Sequence, residues 1–173
     1  MEYRFETAYN QEALTVMAKA LRKTVRKKRN HRSHILGTVV VILALMLTVP
    51  FGDKEFVLEF KTILTWFVAA VLIFTLIFED KINGYVARKR MLPGLDKSLV
   101  VFGPDCYNSE TPLGKSEFKY NNIIVLAETE KYFVFVFSQS HAQVYDKTSI
   151  SGGTIDDFRE FIKSVTGLEM QRV

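Results

Sequence analysis

Two apolar runs without a charged residue, Ile35–Phe51 and Thr62–Phe78, dominate the pattern of the chain. Each run has 17 residues. As a helix, such a run extends about 26 Å, close to the ~30 Å hydrocarbon core of a bilayer. A buried helix of a soluble protein normally keeps a polar face, and neither run has one. A cleaved signal peptide needs small residues at its cleavage site, and the stretch around Thr48 does not supply them. The pattern therefore predicts a transmembrane hairpin of two helices.

The segment before the first run, residues 1–34, divides into a strand and a helix. Side chains of residues 3–9 alternate as they do in a half-buried strand. From Asn10, a candidate N-cap, the apolar residues follow helical spacing, which predicts an amphipathic helix lying along the membrane. Its basic side chains are candidates for holding lipid headgroups. These candidates are Arg22, Lys23, Arg26, Lys27, Lys28, Arg29 and Arg32. The simpler alternative is that this basic tract only fixes the orientation of the spans.

The distribution of charge predicts that orientation. Lys and Arg outnumber acids by nine to three in residues 1–34 and by five to three in residues 79–97. In the intervening loop, residues 52–61, two lysines face three acids. Because excess Lys and Arg stay on the cytoplasmic side, we expect both termini in the cytoplasm and a short loop outside. The basic tract has no aromatic residue and lies next to the membrane, so nucleic acid is not an expected partner.

Residues 79–96 after the second run are predicted to be a helical extension and a linker, with Asn83-Gly84 and Pro93-Gly94 as breaks. Residues 97–173 then read as a small domain of antiparallel strands followed by one helix. About 75 residues lie near the lower limit for an independent core, so the domain either takes in residues 3–9 or leans on the membrane. Six strands are predicted there: Ser98–Phe102, Asp105–Glu110, Lys115–Tyr120, Ile123–Thr129, Tyr132–Ser138 and His141–Tyr145.

Two features of this domain, its fifth strand and its final helix, predict the fold class. Tyr132–Ser138 is apolar on both faces, which is typical of a central strand that is covered on both sides. The final helix has Thr154 as N-cap, Asp157 completing a capping box and Gly167 as its stop. We therefore expect an α+β membrane protein: a transmembrane hairpin plus a curved sheet of six or seven short strands plugged by a C-terminal helix. That architecture is a pleckstrin-homology-like (PH-like) roll.

Three short motifs carry a likeness to a known family, and they are Tyr120–Ile123, Glu128–Phe133, and Lys147 followed by Asp157–Ile162. In these motifs the chain resembles the YcxB-like family of bacterial membrane proteins. The resemblance implies an N-terminal strand and helix, two spans and a PH-like domain, in a multi-pass protein of the bacterial inner membrane. It implies no catalytic residue.

Side chains that could carry chemistry are scarce. Cys106 is the single cysteine, and a catalytic thiol would need His141 as its base, which sequence alone does not bring near. His31 and His34 have the spacing of metal ligands, but their basic neighbours would repel a cation, so a polar pair beside the membrane is the better interpretation. No metal, cofactor or enzyme activity is predicted.

Two functions follow from this interpretation. The favoured one is a membrane-anchored, non-catalytic interaction module whose cytoplasmic PH-like domain binds a protein or lipid partner at the inner membrane face. The alternative is a protective or regulatory partner, of the immunity type, for another membrane protein or a membrane-acting toxin. Membrane lipid and a protein are the expected partners, and homo-oligomerisation stays open.

Overall fold

The structure is a computed structural model that describes residues 2–49 and 58–173. The chain forms two compact units. One unit, here called the sheet unit, joins the segment up to Lys27 to the segment Asp80–Val173, and the other, the helical unit, is Lys28–Glu79. The sheet unit is thus built from two segments, one that precedes the helical unit in sequence and one that follows it.

Within the described residues there are five α-helices and eight strands. The helices are α1 Gln11–Lys23, α2 Lys27–Met46, α3 Phe60–Ile77, α4 Glu79–Arg90 and α5 Ile155–Thr166. The strands are β1 Tyr3–Ala8, β2 Lys97–Phe102, β3 Cys106–Thr111, β4 Gly114–Lys119, β5 Val125–Glu128, β6 Tyr132–Val136, β7 Ala142–Asp146 and β8 Met170–Arg172. Each of the six predicted strands appears, with its ends moved by a few residues at most.

The strands form two sheets of four rather than the single curved sheet that was predicted. Sheet A has the order β1-β2-β3-β4 and is antiparallel throughout. Sheet B has the order β7-β6-β5-β8, and its β8 is parallel to β5. The sequence pattern did not predict β8, because three residues are too few to show an alternation.

The N-terminal segment joins the sheet unit through strand β1. It pairs with β2 along its whole length, from Tyr3 opposite Phe102 to Ala8 opposite Lys97. It also lies beside β7, where the backbone amide of Asp146 donates to Thr7 Oγ1 over 3.1 Å. The sheet unit therefore takes in residues 3–8 as a structural strand.

An aromatic core lies between the two sheets and α5. Phe158 of α5 is fully buried at its centre, with its ring 4.7 Å from Phe5, 5.0 Å from Phe102 and 5.2 Å from Phe133. Helix α5 begins and ends as predicted. Thr154 and Asp157 form the capping box, and Gly167 ends the helix in the left-handed region at φ 68°.

The outer face of sheet B is covered by α1. Ala13 and Ala20 of this helix are fully buried against Val134 and Val144 of the sheet. All five residues of β6 are consequently buried, which confirms the prediction of a central strand covered on both sides. Asn10 caps α1 as predicted, its side chain accepting from the amide of Ala13.

Helix α4 packs against α1. A Cβ atom placed on Gly84 would lie 2.6 to 2.9 Å from the side chain and backbone of Thr15, so this glycine allows the two helices to approach closely. The predicted break at Asn83-Gly84 is therefore wrong: both residues lie inside α4.

The helical unit consists of α2 and α3, which run alongside each other in opposite directions. Trp66 donates to Thr48 Oγ1 over 3.1 Å at one end, and His34 Nε2 lies 2.8 Å from Glu79 Oε2 at the other. Val41 and Ala69 are buried, whereas most of the large apolar side chains of both helices are exposed.

Among the described residues, α3 is the one helix that is long and apolar enough to cross a membrane. Its 18 residues, Phe60–Ile77, have a mean hydropathy of 2.1. The first predicted span is helical as far as Met46, in a helix that begins within the basic tract, and its residues 50–51 lie outside the described part. A span over α3 thus fits by length and composition, and the two-span hairpin is not established by the helices themselves.

Candidate functional site

A cluster of three charged side chains lies at one end of β5. Glu128 is the last residue of β5, Lys147 begins the short turn after β7, and Arg159 lies on the second turn of α5. Three separate elements of the sheet unit therefore meet at one carboxylate. The sheet places Glu128 there because the preceding Leu126 and Ala127 are fully buried in the two apolar cores.

The geometry of this charged cluster is close. Lys147 Nζ donates to Glu128 Oε2 over 2.7 Å and to the carbonyl oxygen of Thr129 over 2.6 Å. Arg159 donates to the same Glu128 oxygen through Nε at 3.1 Å and through its terminal nitrogen at 3.0 Å. Lys147 is 5% exposed and Glu128 is 7% exposed. The ammonium group also lies 4.5 Å from the centre of the Phe133 ring.

Opposing effects determine the pKa of Glu128. Burial acts to raise the pKa, but the hydrogen bonds and charges of Lys147 and Arg159 outweigh burial and hold the pKa below its ordinary value. Glu128 is therefore ionised at neutral pH. On its outer side, Arg159 also forms an ion pair with Asp156, three residues earlier in α5.

A cavity of about 480 Å³ opens beside the cluster. Besides the three cluster residues, Glu130 and Arg172 line it. Within the part of the chain that the structure describes, Arg172 has no ion-pair partner, and its side chain is exposed. The cavity thus offers a guanidinium group and carboxylates to a polar, charged ligand. The buried ion pair of Lys147 and Glu128 lies at its base.

The basic tract is not one continuous helix. Helix α1 ends at Lys23 and α2 begins at Lys27, with a turn between them. Two of the seven candidate headgroup residues are held by the protein: Arg22 forms a bidentate ion pair with Asp80 at 2.6 Å, and Arg26 donates to the carbonyl oxygen of Gln139. The other five are exposed, and they are Lys23, Lys27, Lys28, Arg29 and Arg32.

Cys106 and His141 are in different surroundings. Cys106 begins the inner strand β3 and pairs with Lys119 of the edge strand β4, whereas His141 packs against the ring of Phe137. Desolvation, together with nearby carboxylates led by Glu117, raises the pKa of the Cys106 thiol. The thiol is therefore protonated at neutral pH and a poor nucleophile. In the described ranges, no group of three His, Cys, Asp or Glu residues could hold a metal ion.

The charged cluster was not predicted as a site from the sequence. One signal for it was present in the sequence. Glu128 ends an otherwise apolar strand, a position where a buried acid needs a basic partner. The other two members are far away in sequence, and only the fold brings them to Glu128.

One family of known proteins matches part of the sheet unit. No curated protein and no solved structure matches the chain significantly. The family model of YcxB-like protein matches residues 102–162, about a third of the chain, from the end of β2 to α5. The matched stretch contains all three residues of the charged cluster. Over residues 102–162 the chain is similar to the YcxB-like protein family, in agreement with the resemblance that its sequence shows.

Proposed function

We propose that this protein is a membrane-anchored interaction module. In this proposal the helical unit crosses the membrane as a two-helix hairpin, and the sheet unit is a PH-like domain in the cytoplasm that binds a protein segment close to the bilayer. Lipid contact comes from the exposed basic residues next to the membrane. The chemistry of the charged cavity suits recognition rather than reaction.

The observation that carries the proposal is the pairing of β1 with β2. These strands lie on opposite sides of the helical unit in sequence, yet they are adjacent in one sheet. If residues 28–79 enter a membrane, both ends of this segment must stay on the same side of it. An even number of crossings is then required. With α3 long and apolar enough for one crossing, α2 and the following residues supply the other.

The exposure of the apolar side chains supports the same proposal. Only 11% of α3 is buried, and Leu36, Phe67 and Phe74 are each more than half exposed. In water, such a continuous apolar surface would drive aggregation, whereas in lipid the same surface is solvated. The excess of Lys and Arg on both flanks then favours the cytoplasm for the sheet unit.

The strand order supports the PH-like assignment. Four strands, β1 to β4, form one sheet, three consecutive strands, β5 to β7, form most of the other, and α5 packs against the core at one end. The spans are inserted between the first two strands of this roll. The domain thereby keeps a complete core while it is tied to the membrane at two points.

A labelling experiment on intact cells tests the anchor and its orientation. Two variants carry one cysteine each in a Cys106→Ser background, Asp53→Cys in the loop and Ser140→Cys in the sheet unit. A membrane-impermeant maleimide should label position 53 from outside, and position 140 only after the cells are lysed. Release of the protein by alkaline carbonate, or labelling of position 140 in intact cells, contradicts the proposal.

A chimera tests whether the sheet unit or the helical unit binds the partner. Residues 28–79 are replaced by an unrelated two-span hairpin of equal length, and partners are crosslinked in the native membrane. Retention of the same crosslinked protein supports the module. Its loss from the chimera supports the alternative, in which the spans contact a membrane partner directly.

A further inference from the structure

Strand β8 completes the edge of sheet B in an unusual way. It pairs with β5 through three residue pairs, Leu126 with Met170, Ala127 with Gln171 and Glu128 with Arg172. Every other strand pair between the named strands is antiparallel. After α5 the chain turns back through Gly167 to reach this position, so β8 is an addition to a sheet whose other strands are connected by hairpins or short turns.

The contacts that hold β8 are few. Met170 is half-buried against the aromatic core, while Gln171 and Arg172 are exposed. The amide of Val173 donates to the carbonyl oxygen of Glu128 over 3.0 Å and extends the pairing by one bond. A three-residue strand with one apolar anchor is held weakly compared with β6, all of whose residues are buried.

Unfilled space remains beside β8 on either side of its anchor. A cavity of about 190 Å³ lies between α5 and the strand, lined on its apolar side by Leu126, Ile162, Leu168 and Met170. The charged cavity of about 480 Å³ lies at the other end, next to Arg172. Arg159 lines both cavities. The groove between β5 and α5 is therefore larger than the segment that occupies it.

We propose that the edge of β5 is a docking site for an extended protein segment that runs parallel to β5 and takes the place of β8. Such a segment carries an aliphatic residue at the Met170 position and a basic residue two positions later, the pattern of Met170-Gln171-Arg172. Its aliphatic side chain fills the apolar cavity, and its basic side chain enters the charged cavity beside Glu130. This inference deepens the proposed function by naming the partner chemistry of the sheet unit.

The physical reason is that β5 needs a neighbour. An uncovered edge of a sheet leaves backbone donors and acceptors unpaired, and extended peptides commonly bind by adding a strand there. The chain's own β8 satisfies this edge while no partner is bound. A partner segment that fills both cavities gains contacts that β8 does not make, and this gain drives the exchange.

The test measures binding of a fluorescein-labelled peptide with the sequence of residues 168–173, LEMQRV, to the full chain in detergent. The variant Met170→Asp/Val173→Pro removes the apolar anchor and the last backbone bond of β8. Leu113→Asp, in the exposed turn between β3 and β4, is the matched control. Because a tethered strand acts at an effective millimolar concentration, we expect at least about tenfold tighter binding to the double variant than to the wild type or the control.

Equal affinity for the three proteins, or equal binding of a scrambled peptide, overturns the inference. A concentration-dependent dimer that disappears in the double variant also overturns it, since the occupant of the edge is then a second copy. If the double variant does not fold, hydrogen exchange of the wild type decides. Amides of β8 should exchange at least about tenfold faster than those of β6 and β7, and equal protection contradicts an exchangeable strand. Because these measurements are made in detergent, their result is independent of the membrane orientation tested above.

Discussion

Lys147 Nζ lies 2.7 Å from Glu128 Oε2 and 4.5 Å from the centre of the Phe133 ring, with both charged groups almost fully buried. A lysine without a partner would not remain charged at such a depth. Here the carboxylate, the carbonyl oxygen of Thr129 and the aromatic face together replace water around the ammonium group. The pair joins the end of β5 to the turn after β7, and Arg159 extends the connection to α5.

Glu128→Gln should therefore destabilise the sheet unit strongly. The substitution leaves the buried ammonium of Lys147 and the guanidinium of Arg159 without their carboxylate, and breaking a buried pair typically costs about 3–5 kcal/mol of unfolding free energy. The matched control is Glu110→Gln, which breaks the exposed pair with Lys115 and should cost less than about 1 kcal/mol. Denaturant unfolding of the full chain in detergent compares the two. Equal losses would mean that the buried cluster has no special role in stability.

The same pair predicts a dependence of stability on pH. The pKa of Glu128 in the folded state lies below its ordinary value of 4.5, so the stability that it contributes is present above pH 4.5 and is lost as pH falls through the lower, folded-state pKa. The difference in unfolding free energy between the wild type and Glu128→Gln should accordingly be constant near neutral pH and shrink in acid. A difference that grows as pH falls would contradict the assigned direction.

Gly84→Ala should lower the stability of the sheet unit, although alanine is the better helix former by about 1 kcal/mol. The added Cβ would meet the backbone of Thr15 at 2.8 to 2.9 Å, and backbone cannot yield as a flexible side chain can. Overpacking of this kind typically costs about 1–3 kcal/mol. Asn83→Ala, at an exposed position of the same helix, is the control and should be neutral or slightly stabilising. Thermal unfolding of both variants checks the prediction, which fails if Gly84→Ala behaves like its neighbour.

In the proposed topology, the exposed basic residues near the start of α2 lie beside the membrane and should bind anionic lipid. Adding phosphatidylglycerol to the protein in neutral detergent should raise its melting temperature, and high salt should weaken the effect. The triple variant Lys28→Gln/Arg29→Gln/Arg32→Gln should lose most of this increase, at about 1 kcal/mol of lipid binding per basic residue.

Two controls test this assignment. Removing an equal number of exposed charges from the sheet unit, by Lys97→Gln/Lys115→Gln/Lys119→Gln, should leave the lipid response intact. Arg22→Gln should lower the melting temperature with or without lipid, because it breaks the ion pair with Asp80. If both triple variants lose the lipid response equally, the effect reports overall charge and not these residues.

Local signals in the sequence predicted local structure well. Thr154, Asp157 and Gly167 fixed both ends of α5, because a capping box and a left-handed glycine act within a few residues of chain. The strand around Phe133 and Val134 was also predicted as covered on both faces, since apolar side chains at successive positions leave neither face for water. The identity of the cover, helix α1, was not predicted, because a pattern shows that a face is buried and not what buries it.

The candidate site was beyond the reach of such signals. Glu128, Lys147 and Arg159 come from three elements, and their meeting depends on the packing of α5 and on the path of the chain after β7. Strand β8 is too short to show a period, and its parallel pairing follows from where α5 ends. The proposal of an even number of membrane crossings likewise draws on a long-range contact, the pairing of Tyr3 with Phe102, which no local pattern of the sequence shows.

That pairing has a consequence for biosynthesis. Tyr3 and Phe5 leave the ribosome before either apolar helix, but their partner strand is made only after both helices have followed. The first strand must therefore remain unpaired until its partner strand has left the ribosome. In the proposed topology, an insertion that left the two ends of the chain on opposite faces of the bilayer would keep β1 from β2 and leave the aromatic core uncovered. Completion of the sheet would then act as a check on correct insertion, carried by the protein itself.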